Sequence, residues 1–128
     1  GIGMTGVTSG SDRSDFLKST NVSRETLEKL DLVIGALDEW RTRTNLIGRN
    51  EWPSIWTRHV WDSLQICDLI EDGARIVDLG SGAGFPGLVT ACAKPDAHVT
   101  MIESVGKKCA FLRHAIEVAD LPASVLQE

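Results

Sequence analysis

The sequence has no long apolar segment and no paired cysteine motif, and each absence argues against a class of protein. No run approaches the roughly 20 apolar residues that a bilayer-spanning helix needs, so we expect no membrane association. The three cysteines are odd in number and form no C-x-x-C pair, which argues against a zinc site and against a disulfide framework. We therefore expect no metal, and buried thiols in a reducing cytoplasm.

Basic residues are not in excess. The formal net charge is −5 and the sequence pI is about 5.1, whereas a nucleic-acid partner normally requires a basic face. Local basic pairs do occur at Arg58-His59 and Lys107-Lys108. They are either scattered solvated charges or parts of a local RNA-binding face, and composition alone leaves both readings open.

Residues 1–20 and residues 21–72 differ in composition and in the spacing of their apolar residues. The first twelve residues are rich in Gly, Ser and Thr, so residues 1–20 are predicted to be a flexible arm. Residues 21–72 are predicted to form a helical extension. Its first helix has Ser23 as N-cap and apolar residues at helical spacing. Its second helix is predicted near Pro53, where the four-residue spacing of Arg58 and Asp62 permits a surface ion pair.

From Arg75 onward the spacing of apolar residues along the chain changes. Strands and helices are predicted to alternate in a βαβαβ order, which indicates a parallel sheet with right-handed crossovers. Three parallel strands are only half of a doubly wound sheet, and an open apolar edge is unfavourable. We therefore expect that residues 73–128 are the first half of a domain whose C-terminal half is missing from the chain. The predicted elements are strand 75–79, helix 86–93, strand 98–103, helix 106–119 and strand 124–127.

A glycine-rich turn follows the first predicted strand. Residues 75–87 read Arg-Ile-Val-Asp-Leu-Gly-Ser-Gly-Ala-Gly-Phe-Pro-Gly. Alternate glycines let the backbone turn sharply and let a ligand approach without meeting a Cβ. A strand, such a turn and a helix together are typical of a nucleotide-type cofactor site.

Two cofactors compete for this turn. Gly82–Gly87 is a literal G-x-G-x-x-G, the dinucleotide fingerprint, but alone it is a weak signal. Asp78 favours the other reading. A carboxylate there would repel a pyrophosphate, whereas it would attract the ammonium and sulfonium of S-adenosylmethionine. Glu103 ends the second strand, 23 residues after Gly80, where an acid can accept from two ribose hydroxyls; it fits either cofactor.

The sequence resembles the bacterial small-subunit ribosomal RNA guanine-N7 methyltransferases, the RsmG or GidB family. The resemblance covers roughly residues 25–128. It is carried by Trp40 with Asn45-Leu46, by Arg58-His59-Val-Trp-Asp62-Ser63-Leu64, by the glycine-rich turn up to Gly87, and by Lys107-Lys108-Cys-Ala-Phe-Leu-Arg113.

The resemblance implies a Rossmann-like class I methyltransferase fold, of the α/β class, with an N-terminal helical extension. It also implies S-adenosylmethionine as cofactor, and as substrate a guanine in the 530 loop of 16S ribosomal RNA within the small subunit. Gly80 and Phe85 match cofactor-contacting positions, and Glu103 matches the ribose acid. We expect a monomer. The predicted cofactor-binding residues are Asp78, Gly80, Ser81, Gly82, Gly84, Phe85 and Glu103, and the predicted RNA contacts are Arg58, His59, Lys107 and Lys108.

No catalytic side chain is expected. The N7 lone pair of guanine carries no proton, so attack on a methyl group needs alignment rather than a general base. A packing or hydrogen-bonding role is therefore favoured for His59. Two alternatives remain open at this point: an NAD(P)-binding oxidoreductase, and a non-catalytic piece that docks to the ribosome or another protein through the tryptophan-rich helical region.

Overall fold

The structure is a computed structural model that describes residues 10–80 and 82–128. Within these ranges no helix is long and apolar enough to cross a membrane. The helical elements are α1 (Gly10–Ser19), α2 (Arg24–Trp40), a 3₁₀ turn (Trp52–Ser54), a π-helix (Ile55–Val60), α3 (Trp61–Cys67), α4 (Gly87–Ala93) and α5 (Gly106–Ala119). The strands are β1 (Arg75–Leu79), β2 (His98–Glu103) and β3 (Ala123–Gln127).

The three strands form a parallel sheet in the order β1-β2-β3. Arg75 lies opposite His98, and Val99 lies opposite Ala123. The predicted α/β alternation is therefore present, with β3 starting one residue earlier than expected and α4 starting at Gly87. Parallel pairing brings the carboxyl ends of β1 and β2 to one edge of the sheet, where the glycine-rich turn begins.

Only one face of the sheet is covered in the described residues. Helices α4 and α5 pack on the face that carries Val99 and Met101, both fully buried. The opposite face is open: Val77 is 62% exposed, Leu79 73% and Leu126 48%. Within the described ranges β1 pairs only with β2. The expected C-terminal half of the domain remains a prediction.

Helix α2 packs against α4 and α5 and joins the helical extension to the same core. Ser23 is its N-cap, as predicted, because its hydroxyl accepts from the Thr26 amide at 3.1 Å. Lys29 donates to the carbonyls of Ala119 and Asp120 at 3.0 and 2.9 Å, at the end of α5. Residues 21–72 are thus packed against the sheet domain and do not form a separate unit.

The predicted arm of residues 1–20 is different in the structure. Residues 1–9 lie outside the described ranges, but Gly10–Ser19 is a helix. The Phe16 ring is fully buried and lies 5.2 Å from the Trp56 ring, centroid to centroid. Arg13 pairs with Asp31 of α2 through two hydrogen bonds of 2.9 and 2.7 Å. The expectation of an arm was wrong for this segment, because a single buried aromatic gives no helical stripe.

The second predicted helix is three consecutive helical forms. A 3₁₀ turn begins at Trp52, a π-helix follows over Ile55–Val60, and α3 completes the segment. Trp52, Trp56 and Val60 are buried. The permitted Arg58–Asp62 ion pair does not form among the described residues. A π-helical turn is wider than an α-helical one, so side chains four residues apart no longer lie directly above one another on one face.

Candidate functional site

The glycine-rich turn leaves β1 with three residues in the left-handed region. The φ angles of Gly80, Gly82 and Gly84 are +64°, +53° and +97°. The Gly80 amide donates to the Ile102 carbonyl at 2.7 Å, which ties the start of the turn to β2. Ser81, a predicted site residue, lies outside the described residues.

These glycines serve two different purposes. A Cβ on Gly80 would meet nothing within 4 Å, and one on Gly82 would meet only the Gly80 carbonyl oxygen, at 4.0 Å. A Cβ on Gly84 would collide with Leu88. The first two glycines therefore border open space that a ligand can enter, whereas Gly84 permits close packing under α4.

Glu103 closes the turn from the end of β2. One carboxylate oxygen accepts from the Gly82 amide at 2.9 Å, and the other accepts from the Val105 amide at 2.9 Å. The side chain is buried, with a relative exposure of 5%. The Val105 amide lowers the pKa of Glu103, and the Gly82 amide and the nearby Lys108 charge add to this, although burial opposes them. The carboxylate thus stays ionised and retains lone pairs for further donors.

Asp78 has a partner that the sequence did not indicate. Its Oδ2 atom accepts from the Gly87 amide at 2.9 Å, at the first residue of α4. A Cβ on Gly87 would lie 2.6 Å from this oxygen and 2.9 Å from Met101, so any other residue there would have to displace one of these side chains. The carboxylate therefore fixes α4 against β1 and places a negative charge at the end of the strand.

His59 lies against the turn from the helical side. Its ring is 5.5 Å from the Phe85 ring, at an interplanar angle of 37°. Its Nε2 atom is 3.7 Å from the Glu51 carboxylate, and Glu51 also accepts from the Gly48 amide at 3.2 Å. The loop before the 3₁₀ turn is thus held beside the glycine-rich turn.

The structure separates the other predicted basic residues. Lys108 lies near enough to Glu103 to lower its pKa, whereas Lys107 is exposed at the start of α5. Arg58 is exposed on the π-helix, next to His59. Among the described ranges, no group of three or more His, Cys, Asp or Glu side chains could hold a metal ion.

Sequence reasoning missed Asp12. This carboxylate is buried, with 6% relative exposure, and accepts from the amides of Trp56 and Thr57 at 2.9 and 3.1 Å. It also accepts from the Thr57 hydroxyl at 2.7 Å. It caps the π-helix that carries His59. Nothing in the local sequence indicates this, because donors and acceptor are more than 40 residues apart.

A family model described as rRNA small subunit methyltransferase G matches residues 26–128. The chain belongs to this family. The family predicted from the Arg-His-Val-Trp-Asp-Ser segment and the glycine-rich turn is therefore confirmed.

Curated relatives with the same description agree. The chain is 65% identical over 116 residues to the ribosomal RNA small subunit methyltransferase G of Hyphomonas neptunium, covering 91% of this chain and 56% of the relative. It is 49% identical over 118 residues to that of Bradyrhizobium sp. (strain ORS 278), covering 90% and 53%. The chain thus spans about half the length of the curated relatives it matches.

A solved structure supports the fold class. A Plasmodium falciparum chain assigned as a protein-L-isoaspartate O-methyltransferase, solved with S-adenosyl-L-homocysteine, is similar with a TM-score of 0.53 and 12% identity. The match covers 91% of this chain and 61% of that one. At this identity the similarity concerns the fold alone. It agrees with the predicted Rossmann-like α/β class.

Proposed function

We propose that the whole protein transfers a methyl group from S-adenosylmethionine to N7 of a guanine in the 530 loop of 16S ribosomal RNA. Membership of the rRNA small subunit methyltransferase G family supports ribosomal RNA as the substrate class. The position of the methyl group and the loop follow from the sequence resemblance. Such a substrate is expected in the cytoplasm, within the small ribosomal subunit.

The closing of the glycine-rich turn by Glu103 is the observation that carries this proposal. The Gly82 amide and the Glu103 carboxylate meet at 2.9 Å, beside open space at Gly80 and Gly82. A ribose can place its hydroxyls at the carboxylate while the rest of the ligand passes over bare backbone. We assign Asp78, Gly80, Ser81, Gly82, Gly84, Phe85 and Glu103 to this site, with Gly84 acting through packing.

Asp78 favours the sulfonium cofactor over NAD(P). Its carboxylate already accepts from the Gly87 amide, where a dinucleotide would place its pyrophosphate. A pyrophosphate there would meet a like charge, whereas the ammonium of S-adenosylmethionine would meet an opposite one.

The chemistry requires positioning above all. S-adenosylmethionine supplies an activated methyl group, and guanine N7 supplies a lone pair in the ring plane. The chain's part is to hold the cofactor at the glycine-rich turn and the base in line with it. We assign no general base. His59, packed on Phe85, acts as a wall of the site, and Arg58, Lys107 and Lys108 are proposed to contact RNA.

A docking role through exposed tryptophans has less support. Trp52 and Trp56 are buried, and Trp40 and Trp61 are half-buried. Trp40 also lies 5.1 Å from His114 and 6.1 Å from Phe111, ring to ring. These four side chains therefore belong mainly to the core and offer no exposed aromatic cluster.

Two experiments test the proposal. Calorimetry of the whole protein should show binding of S-adenosylhomocysteine and no binding of NADH; binding of NADH alone would contradict it. Methyl transfer to small subunits that lack the modification should map to N7 of one guanine in the 530 loop. Transfer to another atom or another RNA region would refute the substrate assignment.

A further inference from the structure

A small cavity lies beside the glycine-rich turn, on the side of the helical extension. Its volume is about 180 Å³, and it is lined by Asn50, Glu51, Ser54, Arg58, His59 and Asp62. His59 borders both the cavity and the glycine-rich turn, since it lines the cavity and its ring packs on Phe85 at 5.5 Å. The cavity is smaller than the roughly 300–1,000 Å³ typical of whole cofactors and drug-sized ligands, and this size suits a single base.

Two charged side chains of this cavity have no partner among the described residues. Arg58 and Asp62 form no ion pair or hydrogen bond there, although they stand four residues apart. Glu51, by contrast, is engaged with the Gly48 amide and lies close to His59. The cavity therefore presents one donor group, the Arg58 guanidinium, and one acceptor group, the Asp62 carboxylate, to a ligand. His59 lies between them in the sequence.

The two side chains lie at the junction of the π-helix and α3. Arg58 lies within the π-helix and Asp62 lies in the first turn of α3. In an α-helix the two side chains would be neighbours on one face, and they would be free to neutralise each other. Single π-helical turns inside α-helices occur frequently at functional sites.

We propose that this cavity takes the target guanine, and this rests on the proposed function. Guanine carries an acceptor, O6, beside two donors, N1–H and the N2 amino group. Arg58 donates to O6, Asp62 accepts from N1–H and N2–H, and the His59 ring lies against the base. Arg58 contacts O6 alone, because a bidentate contact to O6 and N7 would occupy the atom that is methylated.

The test compares Asp62→Asn with Asp96→Asn, an exposed aspartate in the turn after α4. Both variants are made in the whole protein and assayed on unmodified small subunits. For Asp62→Asn, kcat/KM for the subunit should fall about tenfold or more, because a good base contact discriminates by about 1–3 kcal/mol. The affinity for S-adenosylhomocysteine should stay within about twofold of wild type, and Asp96→Asn should change neither quantity.

A substrate change distinguishes base recognition from a structural role. In subunits reconstituted with inosine at the target, the N2 amino group is absent. The wild type should lose activity on inosine, and Asp62→Asn should lose little more, so the two losses are not additive. Additive losses, or an Asp62→Asn variant as active as Asp96→Asn, would overturn the guanine pocket. If the wild type itself methylates no guanine N7, the proposed function fails instead.

Discussion

The Asp12 carboxylate accepts two hydrogen bonds from Thr57, one from the amide at 3.1 Å and one from the hydroxyl at 2.7 Å. A third comes from the Trp56 amide at 2.9 Å. Helix α1 thereby caps the π-helix that carries Arg58 and His59. A segment that lies before the family match at residue 26 thus orders one wall of the candidate site.

Asp12→Ala should lower the free energy of unfolding by about 1–3 kcal/mol, because it leaves buried donors without an acceptor. Urea denaturation of the whole protein measures this change. Asp15→Ala is the matched control, since Asp15 lies on the same helix and is exposed. Asp12→Asn should fall between the two, because its amide oxygen still accepts. Equal stability of the Asp12 and Asp15 variants would contradict the capping role.

The sheet half of the fold was predictable because the sequence signals for its strands and helices lie within each element. The short apolar runs of β1 and β2 and the helical spacing of apolar residues in α5 are signals that lie within each segment. The bounds of β1, β2 and α5 were therefore predicted as the structure has them. The position of Glu103 at the edge of the glycine-rich turn also follows from spacing, because adjacent parallel strands end at the same edge, but its hydrogen bond with the Gly82 amide was not predicted.

The helical half was predictable only in part. The spacing of Trp52, Trp56 and Val60 indicates a buried helix face, but it does not distinguish an α-helix from a π-helix. The π-helix packs on α1, which is distant in the sequence, and α1 itself has one buried aromatic, Phe16. The hydrogen-bond partner of Asp78 was not predicted, because it is the backbone amide of Gly87 and a backbone amide is not identified by residue type.

Gly82→Val should abolish binding of S-adenosylhomocysteine, because the branched side chain would enter the open space beside the turn. Its positive φ also costs about 1–2 kcal/mol of stability. Gly84→Ala should mainly destabilise the protein, since its Cβ would collide with Leu88. Gly35→Ala is the control: its Cβ in α2 meets nothing, so stability should rise by about 0.5–1 kcal/mol.

Calorimetry and denaturation of the same preparations separate the two effects. Retained binding in folded Gly82→Val would remove this part of the turn from the cofactor site. A Gly84→Ala protein as stable as wild type would show that α4 can move away from the turn without loss.

Asp78→Asn should separate the charge of this side chain from its hydrogen bond. The asparagine oxygen can still accept from the Gly87 amide, so the free energy of unfolding should change little. Affinity for S-adenosylmethionine should fall by at least about fivefold, since about 1 kcal/mol of attraction is lost. Titration with both cofactor forms locates the contact. An equal loss for S-adenosylhomocysteine indicates the ammonium, and a smaller one the sulfonium. Unchanged affinity for both would confine Asp78 to fixing α4.

Glu103 should make stability depend on acid pH in a defined direction. The Val105 amide lowers the pKa of its carboxyl in the folded state, and the Gly82 amide and Lys108 act in the same direction. The unfolded chain has the ordinary glutamate pKa of about 4.3. The stabilisation is therefore complete above that pKa and is lost as the pH falls through the lower, folded value. Glu103→Gln, which accepts through one oxygen only, should be less stable than wild type at pH 7, and this difference should shrink as the pH falls below about 4. Denaturation curves from pH 3 to 7 measure it. A difference that grows on acidification would contradict this, because it would mean that the folded protein holds the Glu103 carboxyl protonated.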